Sequence, residues 1–66
     1  MKDIAVIIIN YNTSKYTLEC IEAVVEKTAE DISYDIIVVD NNSEVVDYIK
    51  LRDNFPKQDN ITLHRS

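Results

Sequence analysis

The chain has 66 residues, and its twelve acidic side chains against seven lysines and arginines give a net charge of -5 at neutral pH. That balance excludes a nucleic-acid surface, because phosphate backbones call for clustered cations and the seven here are scattered. The longest purely apolar run, Ile4 to Ile9, is far short of the about 20 residues that cross a bilayer, and no small-residue cleavage site follows it, so neither a membrane span nor a secretory leader is expected.

A chain of this size buries only about 60% of the surface it exposes when unfolded, so its stability is marginal. Cys20 is alone, which rules out an internal disulfide and suits a reducing, cytoplasmic setting. The only histidine, His64, has no ligand-spaced neighbours, so no metal site is expected within the chain. Support is expected from a partner or from further sequence.

Ile4 to Ile9 is a continuous, mostly β-branched run that reads as a strand buried on both faces, the usual state of parallel sheets. It ends in turn chemistry at Asn10 to Thr13, with Thr13 or Ser14 placed to cap a helix. Lys15 to Thr28 reads as that helix. Leu18, Ile21, Val24, Val25 and Thr28 recur on one face, and Glu19, Glu22 and Glu26 lie opposite. Cys20 is expected to pack there as a small apolar group. After a loop from Ala29 to Ser33, Tyr34 to Asp40 reads as a second strand, again apolar on both faces from Ile36 to Val39. Asn41 to Ser43 is a second turn, with Ser43 as the expected cap. Glu44 to Asn54 reads as a second helix, with Val45, Tyr48, Ile49 and Phe55 turned inward and Pro56 just beyond its end. Ile61 to His64 reads as a short third strand.

The fold class is therefore α/β, in the order β-α-β-α-β. Right-handed crossovers make the strands parallel, which gives half of a doubly wound, Rossmann-like sheet. Glycine is absent, which argues against both the dinucleotide fingerprint and the P-loop. In a parallel sheet the two polar turns emerge at the same carboxyl edge, where open α/β sheets bind ligands. Asp40 is expected at the lip of that groove. Its carboxylate only accepts hydrogen bonds and so suits the imide N–H of uracil or thymine. Tyr11 can lay its ring against a base, and Asn12 and Asn42 can address base or ribose edges. Each residue also has a plain structural reading: Asp40 as a strand-end cap, Tyr11 as a loop aromatic, Asn41 to Ser43 as a turn, and His64 as a surface strand residue.

Ile7-Ile8-Ile9-Asn10-Tyr11-Asn12, a following helix, and then Ile37-Val38-Val39-Asp40-Asn41-Asn42-Ser43 resemble the opening of the family-two glycosyltransferases, inverting enzymes of GT-A fold. The Val-Asp-Asn-Asn-Ser form is most similar to rhamnosyltransferase-type members that build cell-surface polysaccharide. The resemblance covers nearly all of residues 1–66 but only about the first quarter of a typical family domain, so the chain is expected to be an incomplete, N-terminal nucleotide-binding portion. It implies sugar transfer from a nucleoside diphosphate donor of UDP or dTDP type to a glycan or lipid-linked acceptor. It implies nucleotide contacts at Tyr11 and Asp40, with Asn10, Asn12 and Asn42 in support. A divalent metal, Mg or Mn, is implied for the full-length enzyme, held by an Asp-x-Asp motif in later sequence, as is the catalytic base. No catalytic or metal residue is assigned to this chain. The Asp-Gly step that often follows Asn-Ser in the family is missing, since Glu44 leads directly into the helix.

Two other readings stand beside this one. The chain can be an inactive, truncated module that binds nucleotide weakly or only self-associates. It can also be another doubly wound domain, although a receiver would carry an acidic cluster where Asn10 to Asn12 stands. Cut at this length, the first strand is expected to leave an apolar sheet edge on which a homo-oligomer forms.

Overall fold

A computed structural model describes residues 3–66. The β-branched runs form β1 (Ile4–Asn10) and β2 (Tyr34–Asp40), and Ile61–Arg65 forms β3. Two helices intervene, α1 (Ser14–Lys27) and α2 (Val45–Asp53). The strands are parallel, as the sequence predicts, and lie in the order β1-β2-β3 across the sheet.

Register divides the sheet into rows. One face carries Val6, Ile36 and Ile61 side by side, then Ile8, Val38 and Leu63, then Asn10, Asp40 and Arg65 at the carboxyl rim. Ile36, Val38 and Ile61 are buried there with Ile21 of α1 and Leu51 of α2, and Val6, Ile8 and Leu63 pack against them. This face is the core, two apolar rows closed at one end by a polar row.

The opposite face is bare, contrary to the expectation that the strands are buried on both sides. Ile7 and Ile9 on β1 are 65% and 58% exposed, Thr62 and His64 on β3 are also exposed, and Ile37 and Val39 of β2 between them are half-buried. The cause is topological. Both crossovers step in the same direction across the sheet, so right-handedness puts both helices on one side.

Helix α1 docks much as its periodicity predicts. Ile21 is buried, Leu18, Val24 and Val25 pack around it, and Glu19, Glu22 and Glu26 face solvent. Cys20 does not pack inward but lies exposed. Thr28 ends the helix by turning its hydroxyl back onto the Val24 carbonyl at 2.6 Å.

Helix α2 is rotated from the predicted face. Leu51 is fully buried, whereas Val45 and Ile49 are 61% and 38% exposed. The inward stripe is Asp47, Tyr48, Leu51 and Phe55, spaced by three and four residues, with Asp47 and Tyr48 drawn in by partners described below. Two overlapping stripes run along this nine-residue helix, and the polar contacts decide between them.

The rotation has a measurable consequence. Leu51→Ala is expected to lower unfolding free energy by about 2–5 kcal/mol. Val45→Ala, on the exposed stripe, is expected to change it by less than about 0.5 kcal/mol. Urea unfolding of the two variants checks this, and equal losses would mean that the helix faces the other way.

Candidate functional site

Three strand ends meet in register at the carboxyl rim, Asn10 beside Asp40 beside Arg65. Asn10 and Asp40 are both 0% exposed. A buried polar side chain has to find partners within the protein, and these do. The Asn10 Nδ2 group donates to Asp40 Oδ1 at 2.8 Å, to Asp47 Oδ2 at 3.0 Å and to Ser43 Oγ at 3.1 Å. It has only two protons for those three acceptors, so one proton is shared. Its carbonyl accepts from Thr17 Oγ1 at 2.6 Å and from Thr13 Oγ1 at 3.3 Å. One carboxamide thereby joins both turns and both helix starts.

The capping follows from the same hub. Neither helix is capped by its own side chain. Thr13 spends its hydroxyl on Asn10, and the N-terminus of α1 is instead met by Asp47, whose Oδ1 accepts from the Ser14 N–H at 3.1 Å. A carboxylate at a helix N-terminus also gains from the helix dipole. Ser43, the expected cap of α2, instead accepts at Oγ from the Asn12 backbone N–H at 2.9 Å, and the Asn12 side-chain Oδ1 accepts from the Glu44 N–H at 2.8 Å. These two bonds lace the turns together across the rim.

Asn12 and Asn42 have positive φ, 53° and 60°, the left-handed region. In a chain without glycine, asparagine is the residue that reaches this region at least cost.

Of the residues singled out from the sequence, Tyr11, Asn12 and Asn42 are exposed at this rim, while Asn10 and Asp40 lie beneath it. The sequence reading puts Asp40 on the lip of the groove. The folded chain seats it one layer down, where Asn10 and the Ser43 N–H, at 3.2 Å, occupy its oxygens. The exposed residue next to it is Asn41, whose backbone N–H is tied to the Asn10 main-chain carbonyl at 2.8 Å. Thr17, Asn41, Asp47 and Arg65 were missed as site residues. For Arg65 the signal is its position in register with two polar strand ends. For Asp47 it is an acid in the first turn of a helix that follows a serine.

Arg65 closes the row. Its guanidinium lies 4.3 Å above the Tyr48 ring, its Nη2 donates to the Ser43 carbonyl at 3.3 Å, and its Nε is 3.9 Å from Asp40 Oδ2. For Asp40, burial acts to raise the carboxyl's affinity for protons. Bonds from the Ser43 side chain, Asn10 and the Ser43 N–H, with the Arg65 charge, outweigh it, so the group titrates below its ordinary value. Asp47 shows the same balance: burial is opposed by Asn10, Ser14 and the Lys50 charge, and the net direction is again down. Among the described residues, no three His, Cys, Asp or Glu side chains gather where they could hold a metal ion. No helix of the described residues is long and apolar enough to cross a membrane.

A parallel sheet with two polar turns laced together on one rim defines half of a doubly wound α/β domain of the GT-A or Rossmann-like kind. The family model described as glycosyl transferase family 2 matches residues 5–64, and the chain belongs to that family. No curated protein matches the chain, and no solved structure does.

Two expectations test this site. Asp40 and Asp47 have lower pKa values folded than unfolded. The stability they contribute is fully present above the ordinary carboxylate value of about 3.9 and is lost as pH falls through the lowered folded values. Urea midpoints should hold level between pH 7 and about 5 and drop steeply below about pH 4, and Asp47→Asn should flatten the acid limb. An acid limb unchanged by both Asp40→Asn and Asp47→Asn contradicts the hub. At the second turn, Asn42→Val is expected to cost about 1–2 kcal/mol for its left-handed φ, whereas Asn42→Gly should not. Equal losses in urea unfolding contradict that reading of the turn.

Proposed function

We propose that this chain forms the nucleoside-binding rim of an enzyme that transfers a sugar from a nucleoside diphosphate to a glycan or lipid-linked acceptor. The donor is of UDP or dTDP type, and the Val39-Asp40-Asn41-Asn42-Ser43 sequence favours a rhamnosyltransferase-like role in cell-surface polysaccharide synthesis. The observation that carries the reading is the lacing of the two turns by Asn12, Ser43 and Glu44, which leaves Tyr11, Asn41 and Asn42 exposed together at the carboxyl edge.

The roles divide by depth. Tyr11 offers its ring to the base. The carboxamides of Asn12, Asn41 and Asn42 carry both donors and acceptors, so they can answer both the imide N–H and the carbonyls of a pyrimidine. Asn10 and Asp40 hold the turns in place from below. The carboxylate of Asp40 takes part in base recognition through Ser43 and Asn10 rather than by open contact. This chain contributes binding and orientation. The base that deprotonates the acceptor hydroxyl in an inverting transfer is not assigned to it.

Titration with UDP, dTDP, GDP and free uridine, followed by amide shifts, tests the reading. Shifts are expected at Tyr11, Asn12, Asn41 and Asn42, stronger for the pyrimidine nucleotides. Tyr11→Ala should weaken UDP binding by roughly tenfold, since a base–aromatic stack contributes about 1–3 kcal/mol. A folded sample that shows no shift at either turn contradicts the proposal.

A further inference from the structure

Of the three strand ends in the polar row, Arg65 alone has donors to spare. It lies in register with Asp40, which lies in register with Asn10. Asn10 and Asp40 are fully buried and committed to partners, whereas the Arg65 side chain is 35% exposed. Its guanidinium is nonetheless fixed in place. It lies 4.3 Å over the Tyr48 ring, Nη2 donates to the Ser43 carbonyl at 3.3 Å, and Nε is 3.9 Å from Asp40 Oδ2, an ion pair too long for a hydrogen bond. A guanidinium carries five N–H donors and no acceptor. Among the described residues, only the Ser43 carbonyl takes one of them.

The neighbouring polar side chains are free where Arg65 is fixed. Asn41 and Asn42 are exposed, and among the described residues no hydrogen bond holds either side chain. A carboxamide turned by half a revolution exchanges its oxygen for its nitrogen, so it meets a donor or an acceptor equally well. A guanidinium has no such alternative. Ser43, which Arg65 grips, follows Asn42 directly and accepts from the Asn12 N–H at 2.9 Å, so the fixed donors sit against the laced turns.

We propose that Arg65 selects the pyrimidine of the donor nucleotide, taking uracil or thymine and refusing cytosine. The inference rests on the nucleoside-binding reading of this rim. The bases differ at the ring carbon opposite the sugar-bearing nitrogen, which carries a carbonyl acceptor in uracil and thymine and an amino donor in cytosine. A guanidinium N–H meets the carbonyl with a charge-assisted bond. Facing the amino group, it sets donor against donor and leaves both unpaired, and that mismatch supplies the discrimination. Tyr48 and Ser43 hold the guanidinium before the nucleotide arrives, so little side-chain freedom is lost on binding. Its charge also offsets the Asp40 carboxylate beside it, which would otherwise repel the electron-rich carbonyl. Lysine would not serve in its place, because a compact ammonium lacks the planar fork that stacks on a ring and reaches two acceptors at once.

Titration of the full chain with UDP and with CDP, followed by amide shifts, tests this. UDP is expected to bind about tenfold more tightly than CDP, the worth of one bond to a charged group. Arg65→Gln, whose amide can turn to suit either base, should bring the two affinities within about twofold of each other. An arginine with a merely structural role would weaken both nucleotides alike and leave their ratio unchanged. Should Arg65→Gln fail to fold, the unaltered chain decides: the Arg65 guanidinium N–H signals should shift on saturation with UDP and stay in place with CDP. Shifts at Tyr11 and Asn42 with equal affinity for UDP and CDP, a preference for UDP that survives Arg65→Gln, or guanidinium signals indifferent to UDP would each overturn the assignment and leave the nucleoside-binding reading standing. No shift at either turn with any nucleotide would overturn both.

Discussion

The structure depends on one buried carboxamide. Asn10 is fully enclosed, and its nitrogen is held between two carboxylates, Asp40 and Asp47, from the second strand and the second helix. Its oxygen is held by Thr13 and Thr17 from the first turn and helix. A neutral amide can do this because it donates at one end and accepts at the other, and charge-assisted bonds are stronger than neutral ones. All the main pieces except the third strand converge on that side chain. The third strand joins through Arg65, which reaches Ser43, Tyr48 and the edge of Asp40.

This polar row answers a problem that the apolar rows cannot. Ile4 to Ile9 is apolar at every position, so hydrophobic alternation does not say which residues face the helices. A slip of one residue would move the whole set to the other face at little cost in apolar burial. Asn10 and Asp40 supply the phase. With both on the helix side they are satisfied, and on the bare face they would lose the partners that α1 and α2 provide. The same pairing fixes where the two turns emerge, so the register and the rim have a common cause. Exposed Tyr11, Asn41 and Asn42 rest on a floor of bonded strand ends.

The element order, the parallel sheet and the shared rim were all legible in the sequence, because β-branched runs, polar turns and a long amphipathic helix each speak locally. The rotation of α2 was not. Val45 and Ile49 form one stripe and Tyr48, Leu51 and Phe55 another, and nine residues are too few for periodicity to choose. The choice is made by Asp47 reaching back to Ser14, 33 positions away, and by Arg65 lying over Tyr48 from the end of the third strand, contacts that local periodicity does not carry. The depth of Asp40 was hidden for a similar reason. A strand-end aspartate looks the same in sequence whether it faces a ligand or a buried amide. The bare sheet face follows from strand order, which a run of apolar residues does not reveal.

The side-chain amide of Asn10 reports most directly on the central claim. In a ¹⁵N-resolved spectrum its two protons should be well separated, slow to exchange with water, and linked by cross-peaks to Thr17 and Ser43. They should shift in acid only below the ordinary carboxylate range, as Asp40 and Asp47 take up protons. Averaged, rapidly exchanging Asn10 amide protons that ignore the titration of both aspartates would contradict the account.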